Sequence, residues 1–304
     1  MKNKLKLITI LFFALTLTGC TTYLEDEDNN KLKNPETGQQ LVSNILCQPE
    51  NEETLKLYEE NNKDITSLPM CSELSITGGE YEGIWNTIFV KPLAVLIIFL
   101  GNLLSNYGFA IILTTLLIRT VMYPLTQKQA KQSESLKMAQ PEIGALEIKY
   151  KNKTDQESMM QKSQETMAIY KKYDINPLSG CLFAFIQIPL FFAFFEALNR
   201  LPAVFEGEFL GMNMGMTSLT GVTNGNFIYL FIIIGVIAAT HFSFKFNSGA
   251  QMSGDQAKQM QTMQKVMIVM ISFSACFVST AIGIYWITNS SFTIMQNLIV
   301  KRRK

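Results

Sequence analysis

The chain has 304 residues, 48% of them hydrophobic and only 17% charged, with a formal net charge of +1. Mean hydropathy is +0.15, and the apolar residues gather in blocks, a distribution that favours lipid over a soluble core. Composition offers no basis for DNA or another nucleic acid as a partner, although the small net charge hides an asymmetry: residues 21–88 carry fourteen Asp or Glu against four Lys, while other connecting segments are Lys-rich.

The chain begins Met1-Lys2-Asn3-Lys4-Leu5-Lys6, continues as an apolar run over residues 7–17, and reaches Leu17-Thr18-Gly19-Cys20. A basic start, a short apolar stretch and a small-residue cleavage site read as a signal peptide, and the stretch is too short to span. Because Cys follows Leu-Thr-Gly directly, the segment resembles the lipobox of bacterial lipoproteins. That resemblance implies removal of residues 1–19 and a diacylglycerol and a fatty acyl group such as palmitate on Cys20. An ordinary signal peptide with a chance Cys is the other reading. Residues 20–84, with Glu25-Asp26-Glu27-Asp28-Asn29-Asn30, look like a lipid-anchored acidic extracellular tether of little fixed structure, holding at most a short helix near residues 52–60. A disulfide between Cys47 and Cys71 and two free thiols are both consistent with the sequence. Cys181 and Cys276 lie in apolar runs and no CxxC occurs, so no metal site is expected.

Next, Trp85, Ile88, Phe89, Leu93, Leu96, Phe99 and Leu103 recur at helical spacing with Asn86, Lys91 and Asn102 between them, which suits an amphipathic helix in the membrane interface. Residues 94–100 are apolar all round, so a true span is the alternative. The runs at residues 107–125, 181–198, 227–244, 266–280 and 282–300 approach the ~20 residues that cross ~30 Å of hydrocarbon. Lys and Arg orient them. With Cys20 outside, the first span delivers residues 126–174 and their nine Lys to the cytoplasm, as the positive-inside rule requires. The loop at residues 201–226 carries Glu206 and Glu208 and no Lys or Arg, which fits the outside, with Arg200 at its edge against it. Lys245, Lys258 and Lys265 mark a second cytoplasmic loop, and the basic tail, residues 301–304, ends inside. Five spans satisfy these constraints; a sixth would invert the tail or the first loop. Residues 126–174 show helical spacing twice with a turn signal at Asn152-Lys153-Thr154, so a helical hairpin is expected there. Met138, Met159, Met160 and Met167 on it suit adaptable binding, although such residues more often pack two helices together.

Arg119 stands within the first span, where a guanidinium costs about 2.5–3.5 kcal/mol at mid-bilayer. It therefore faces protein or water, or else snorkels to the cytoplasmic headgroups about six residues on. Thr115 lies one turn earlier on the same face. In the last span Trp286, Asn289, Thr293 and Gln296 recur at intervals of three and four and line one face. Gln187 sits just before Pro189, whose ring frees a backbone carbonyl. These groups either line a hydrophilic cavity or hold the bundle together through hydrogen bonds worth about 0.6 kcal/mol each. Hydrolytic chemistry has no support: HExxH and GxSxG are absent, and the single histidine, His241, ends an apolar run. Glu196, near the outer end of its run, reads as interfacial rather than as a proton carrier.

At this point an ordered set of motifs stands out: Leu117-Ile118-Arg119, Tyr123-Pro124-Leu125, Lys137-Met138, Gln140-Pro141-Glu142-Ile143, Lys149-Tyr150-Lys151, Asp174-Ile175-Asn176-Pro177-Leu178, Gly180-Cys181-Leu182, Ile186-Gln187-Ile188-Pro189-Leu190-Phe191, and Ile284-Tyr285-Trp286 with Asn289 and Gln296. Together, over residues 85–300, they resemble the YidC/Oxa/Alb membrane-protein insertases. A lipidated Cys followed by five spans is similar to the Gram-positive form of that family. Phe183 stands where the family often has Pro, and Ser279 and Ala281 replace a common Pro and Gly, so the turn between the last two spans is expected to differ.

The resemblance implies an all-α membrane protein, with five transmembrane helices around a hydrophilic groove lined by Arg119, Thr115, Gln187, Tyr285, Trp286, Asn289, Thr293 and Gln296. It further implies a non-enzymatic insertase and chaperone of the plasma membrane, without a cofactor beyond the lipid on Cys20. Implied partners are nascent membrane proteins, the ribosome, membrane lipids and, for part of the work, a Sec translocon, with no small-molecule substrate. The rival class is a small-solute transporter or channel, which would usually show inverted repeats; no internal repeat is found.

Overall fold

The computed structural model describes residues 21–26, 28–61, 64–78, 82–176, 179–247 and 255–302, with the side chains at 179–186, 247, 255–261 and 263 outside that description. Cys20 and its predicted lipid therefore lie outside the described residues, as do Arg303 and Lys304. Helices dominate, and the chain forms two compact units. One holds the described residues up to Leu117 with Gln187–Ile234 and Ala275–Trp286; the other holds Ile118–Ile186, Gly235–Ser274 and Ile287–Lys304.

In the first unit, residues 21–78 depart from the expected loose tether. Leu24, Leu41, Val42, Ile45, Tyr58 and Ile65 form a buried cluster with Phe205, because these apolar side chains converge although the surrounding charges dominate the average composition. The Tyr58 hydroxyl donates to the Val42 carbonyl at 2.7 Å, and short bridges join Tyr23 to Val42 and Lys33 to Gln40. Helix α1, Glu52–Glu60, starts at Asn51, whose side chain accepts from the Glu53 and Thr54 amides. Cys47 and Cys71 are joined in a disulfide.

A π turn at Asn86–Val90 runs into α2, Lys91–Leu104, which stops at Ser105 in the left-handed region. Together Asn86–Leu104 is long and apolar enough to cross a membrane, with mean hydropathy 2.1. The expected amphipathic division is not found there. Asn86 and Lys91, predicted on a wet face, are buried, while Phe99 and Leu103 are exposed; Lys91 Nζ donates to the Gly78 carbonyl at 2.8 Å. By length and composition the helix matches the spanning alternative.

Helix α3, Tyr107–Val121, begins at Asn106, whose side chain accepts from the Phe109 amide at 3.1 Å. It ends at Met122, and α4, Tyr123–Tyr150, departs at 71°. Pro124 causes the break: it lacks an N–H, and its ring would meet the carbonyl four residues back in a continuous helix. The α4 helix and α5, Gln156–Lys172, lie antiparallel about the turn at 151–155, with Asp155 accepting from the Ser158 amide. Lys149 pairs with Glu165 at 2.7 Å and Lys172 pairs with Glu142; both pairs have the same index sum, as an antiparallel register demands. The four hairpin methionines are exposed rather than packed between the helices.

Helix α6 is Ser179–Asn199 and carries Pro189. After the short α7, Pro202–Phe205, strands β1, Glu208–Phe209, and β2, Met212–Asn213, make a two-stranded hairpin. Leu210 and Gly211 at its tip both have positive φ, the conformation a two-residue turn of this hand requires. Then follow α8, Ser218–Thr223; α9, Leu230–Asn247; α10, Asp255–Ser274; and α11, Thr280–Arg302. The break between α10 and α11 falls at 275–279, earlier than the boundary expected at residues 280–282. Its cause is backbone pairing: Leu219 N–H donates to the Cys276 carbonyl, Thr280 N–H to Met216, and Ala281 N–H to Met214.

Among the described residues two helical segments, Asn86–Leu104 and Phe227–Phe246, are long and apolar enough to cross a membrane, or three if the bent α3–α4 pair counts. The expected count of five is thus only partly matched. In α11 the polar run Asn289, Ser290, Ser291, Gln296 and Asn297 dilutes an otherwise spanning length.

Candidate functional site

Burial on α3 is inverted relative to a soluble helix. Ala110, Ile111, Thr114, Thr115 and Arg119 are buried along one stripe, while Phe109, Leu117 and Val121 are exposed. Exposed apolar and buried polar residues together define a helix whose outer solvent is hydrocarbon. Phe231 and Ile234 on α9 and Val269 and Phe273 on α10 repeat the exposed apolar pattern.

Arg119 is 3% exposed. Its Nε donates to Asn289 Oδ1 at 2.6 Å, so the guanidinium is fixed toward protein rather than snorkelling along lipid. The Asn289 amide oxygen orients the guanidinium. One to two turns on, Gln296 Nε2 donates to Thr126 Oγ1 at 2.7 Å, and the Thr293 hydroxyl donates to the Asn289 carbonyl at 3.1 Å. Arg119, Asn289, Thr293 and Gln296 thus share the second unit, with Arg119 and Asn289 in direct contact.

The other predicted residues belong to the first unit. The Thr115 hydroxyl donates to the Ile111 carbonyl at 2.7 Å, so it satisfies itself on its own helix. Tyr285 is buried and stacked on Phe194 with ring centroids 4.4 Å apart, and Trp286 meets Phe191 edge-on at 5.4 Å. Gln187 is half-buried.

A second polar cluster in the first unit escaped the sequence reading. Arg200, 1% exposed, ion-pairs with Glu82, donates to Asn86 Oδ1 at 3.2 Å and to the Asn44 carbonyl, and stands 3.9 Å from Glu196. Glu196 also accepts from Trp85 Nε1 at 3.0 Å. The available signal was the four-residue spacing of Glu196 and Arg200 on one helix face. Arg200, the cation that argued against its loop's orientation, is spent inside the protein.

These features define a helical integral membrane protein with a buried, amide-held arginine. A family model described as 60Kd inner membrane protein matches residues 99–304. Similar curated proteins include the membrane protein insertase YidC of Oceanobacillus iheyensis, 35% identical over 245 residues that cover 78% of this chain and 92% of that protein. The membrane protein insertase MisCA of Bacillus subtilis is 34% identical over 218 residues, 71% of this chain and 79% of that one. A solved structure titled as an active YidC insertase crystal structure with the first transmembrane domain resolved matches at a TM-score of 0.50 with 25% identity, covering 81% of this chain. The match spans about half, 52%, of that longer chain. The chain belongs to the YidC family of membrane protein insertases.

Proposed function

We propose that this chain inserts integral membrane proteins into the bacterial plasma membrane and chaperones their folding, with Arg119 as the central functional group. The observation that carries this reading is the burial of Arg119 in an apolar helix, held by Asn289 at 2.6 Å. Such a charge is expensive unless it has a use. Arg119 faces a hydrophilic groove, with Asn289, Thr293 and Gln296 along its wall. A carboxylate in a translocated segment is attracted to the guanidinium by up to about 4 kcal/mol at ~4 Å and an effective dielectric near 20. The substrate's own apolar helix then moves sideways into lipid, and neither hydrolysis nor a cofactor is needed.

Five crossings with the N-terminal lipid on Cys20 outside and the basic tail inside satisfy the positive-inside rule. The hairpin of α4 and α5, with exposed Met138, Met159, Met160 and Met167, offers adaptable apolar surface to a nascent chain. The tail at residues 301–304 contacts the ribosome through RNA phosphates, and the chain works alone or beside a Sec translocon.

The test is insertion into vesicles of paired substrates with acidic or neutral translocated tails. Arg119→Ala should impair the acidic substrate more than the neutral one, while Arg119→Lys keeps much of the activity because the charge remains. Equal loss for both substrates, or for both variants, would sink the electrostatic mechanism. Cys20→Ala should leave an unlipidated precursor. Single cysteines at Ser163 and Thr217 should be shielded from and open to an impermeant external thiol reagent, respectively.

A further inference from the structure

In the second unit a cavity of about 250 Å³ opens among α4, α9 and α11. Its walls include Ser133, Glu134 and Lys137 from α4, Lys245 and Phe246 from α9, and Lys301 from α11. Among the described residues, three lysines from three separate helices thus converge on one concavity against one carboxylate, Glu134, which lies 3.5 Å from Lys137. Lys137 Nζ is steered by the Phe246 carbonyl at 3.0 Å, while Lys245 and Lys301 are exposed. We infer that this cavity binds the phosphate headgroup of an anionic phospholipid.

Cations in the last turn of a helix can be explained by the helix dipole alone, and Lys245 and Lys301 occupy such positions. That account does not reach Lys137, which lies mid-helix in α4 and is turned to the same cavity. Three ammonium groups against one carboxylate leave the cavity net positive. Basic pockets between the ends of apolar helices suit lipid phosphates, each lysine adding about fivefold to affinity near an anionic surface. The wall is mixed rather than uniformly charged: Ser133 and Asn297 offer hydrogen-bonding groups to a headgroup, and Ala130 and Val300 an apolar seat to the start of an acyl chain. Assignment to the cytoplasmic leaflet rests on the orientation proposed above; the headgroup chemistry does not.

The test uses the full-length protein in detergent and titrates phosphatidylglycerol and phosphatidylcholine of matched chains, with lipid retention read by native mass spectrometry. Phosphatidylglycerol should be preferred. Lys137→Gln, Lys245→Gln and Lys301→Gln should each weaken its retention about fivefold and leave phosphatidylcholine unchanged, and Glu134→Gln should tighten it. A charge-matched triple variant of the hairpin, Lys151→Gln, Lys153→Gln and Lys162→Gln, should bind as the parent does. Equal loss in that control, no loss in the cavity triple, or displacement of the lipid by inorganic phosphate at similar concentration would overturn the assignment. So would loss of ribosome co-sedimentation with lipid retention intact. Insertion of a ribosome-free substrate into phosphatidylcholine vesicles should be the same for the double variant Lys137→Gln with Lys245→Gln and the parent, and a parallel fall there would assign the lysines to substrate instead. Failure of the parent itself in that assay would end the insertase reading and leave the lipid titration standing.

Discussion

Two arginines, Arg119 and Arg200, are almost equally buried, at 3% and 1% exposure, yet their surroundings differ in kind. Arg200 is gripped by the Glu82 carboxylate, with Glu196 at 3.9 Å and the Asn44 carbonyl and Asn86 amide completing the shell. Arg119 is aimed by the neutral amide of Asn289. Carboxylates turn the Arg200 guanidinium into a fastener; the Asn289 amide oxygen fixes the direction of the Arg119 guanidinium. The same side chain therefore ties residues 44–86 to the end of α6 in one unit and joins the end of α3 to α11 in the other.

The comparison breaks most readily at Arg200. Arg200→Met strands Glu196 in a buried site, and removal of one partner of a buried pair costs about 3–5 kcal/mol, to be read as a large drop in thermal unfolding temperature in detergent. Glu82→Gln should cost far less, under about 1 kcal/mol, because the Glu82 side chain is 37% exposed. Similar losses from both variants would show that the cluster is not organised around Arg200. The disulfide comes next. Cys47 and Cys71 close a loop with a sequence separation of 24, and loss of such a link destabilises by about 2–4 kcal/mol. The double variant Cys47→Ser with Cys71→Ser should open residues 21–78 to limited proteolysis while the α4–α5 hairpin stays protected. Equal exposure of both regions would mean that the disulfide secures more than its own unit.

At Arg119 the contrast can be sharpened by making one site resemble the other. Asn289→Asp supplies the carboxylate that Arg200 already has, and should lower insertion of acidic-tailed substrates about tenfold, equivalent to roughly 1.4 kcal/mol, with neutral-tailed substrates unaffected. Asn289→Ser keeps a neutral acceptor and should lose little. If the Asp variant inserts acidic tails normally, the positive field of Arg119 is not what draws them.

Arg119 was legible from sequence because its signal is one-dimensional: a charge inside an apolar run is costly whatever lies around it. The turn at Asn152-Lys153-Thr154 was legible for the same local reason, and it coincides with the break between α4 and α5. Arg200 was legible only in its four-residue spacing from Glu196, since its other partners stand 114 to 156 residues away and leave no periodic trace. Asn86 and Lys91 looked like a wet helix face because spacing cannot reveal that Arg200 and the Gly78 carbonyl take them up. In residues 21–78 a few converging apolar side chains were outweighed by fourteen scattered carboxylates across residues 21–88, and average composition does not register convergence. The turn at 275–279 was misplaced because the pairing that sets it comes from the loop at 214–219.

The smallest expected effect belongs to Glu206, which joins the first unit's cap through backbone amides. Its Oε2 accepts the amide N–H groups of Glu50 at 3.0 Å and Asn51 at 3.3 Å. Those bonds favour the ionised form, but burial outweighs them and holds the carboxyl above the usual glutamate range. A carboxyl whose folded value is raised binds its proton more tightly in the folded state. Its contribution to stability is therefore fully present below the ordinary glutamate value and is lost as pH rises through the raised one. Hydrogen exchange at the Glu50 and Asn51 amides, corrected for the intrinsic pH dependence, should show protection falling across that window, and Glu206→Gln should flatten the profile. Protection that instead grows with pH would mean that the two amide bonds prevail over burial, and that a lone carboxylate can fasten this cap as the Arg200 cluster does.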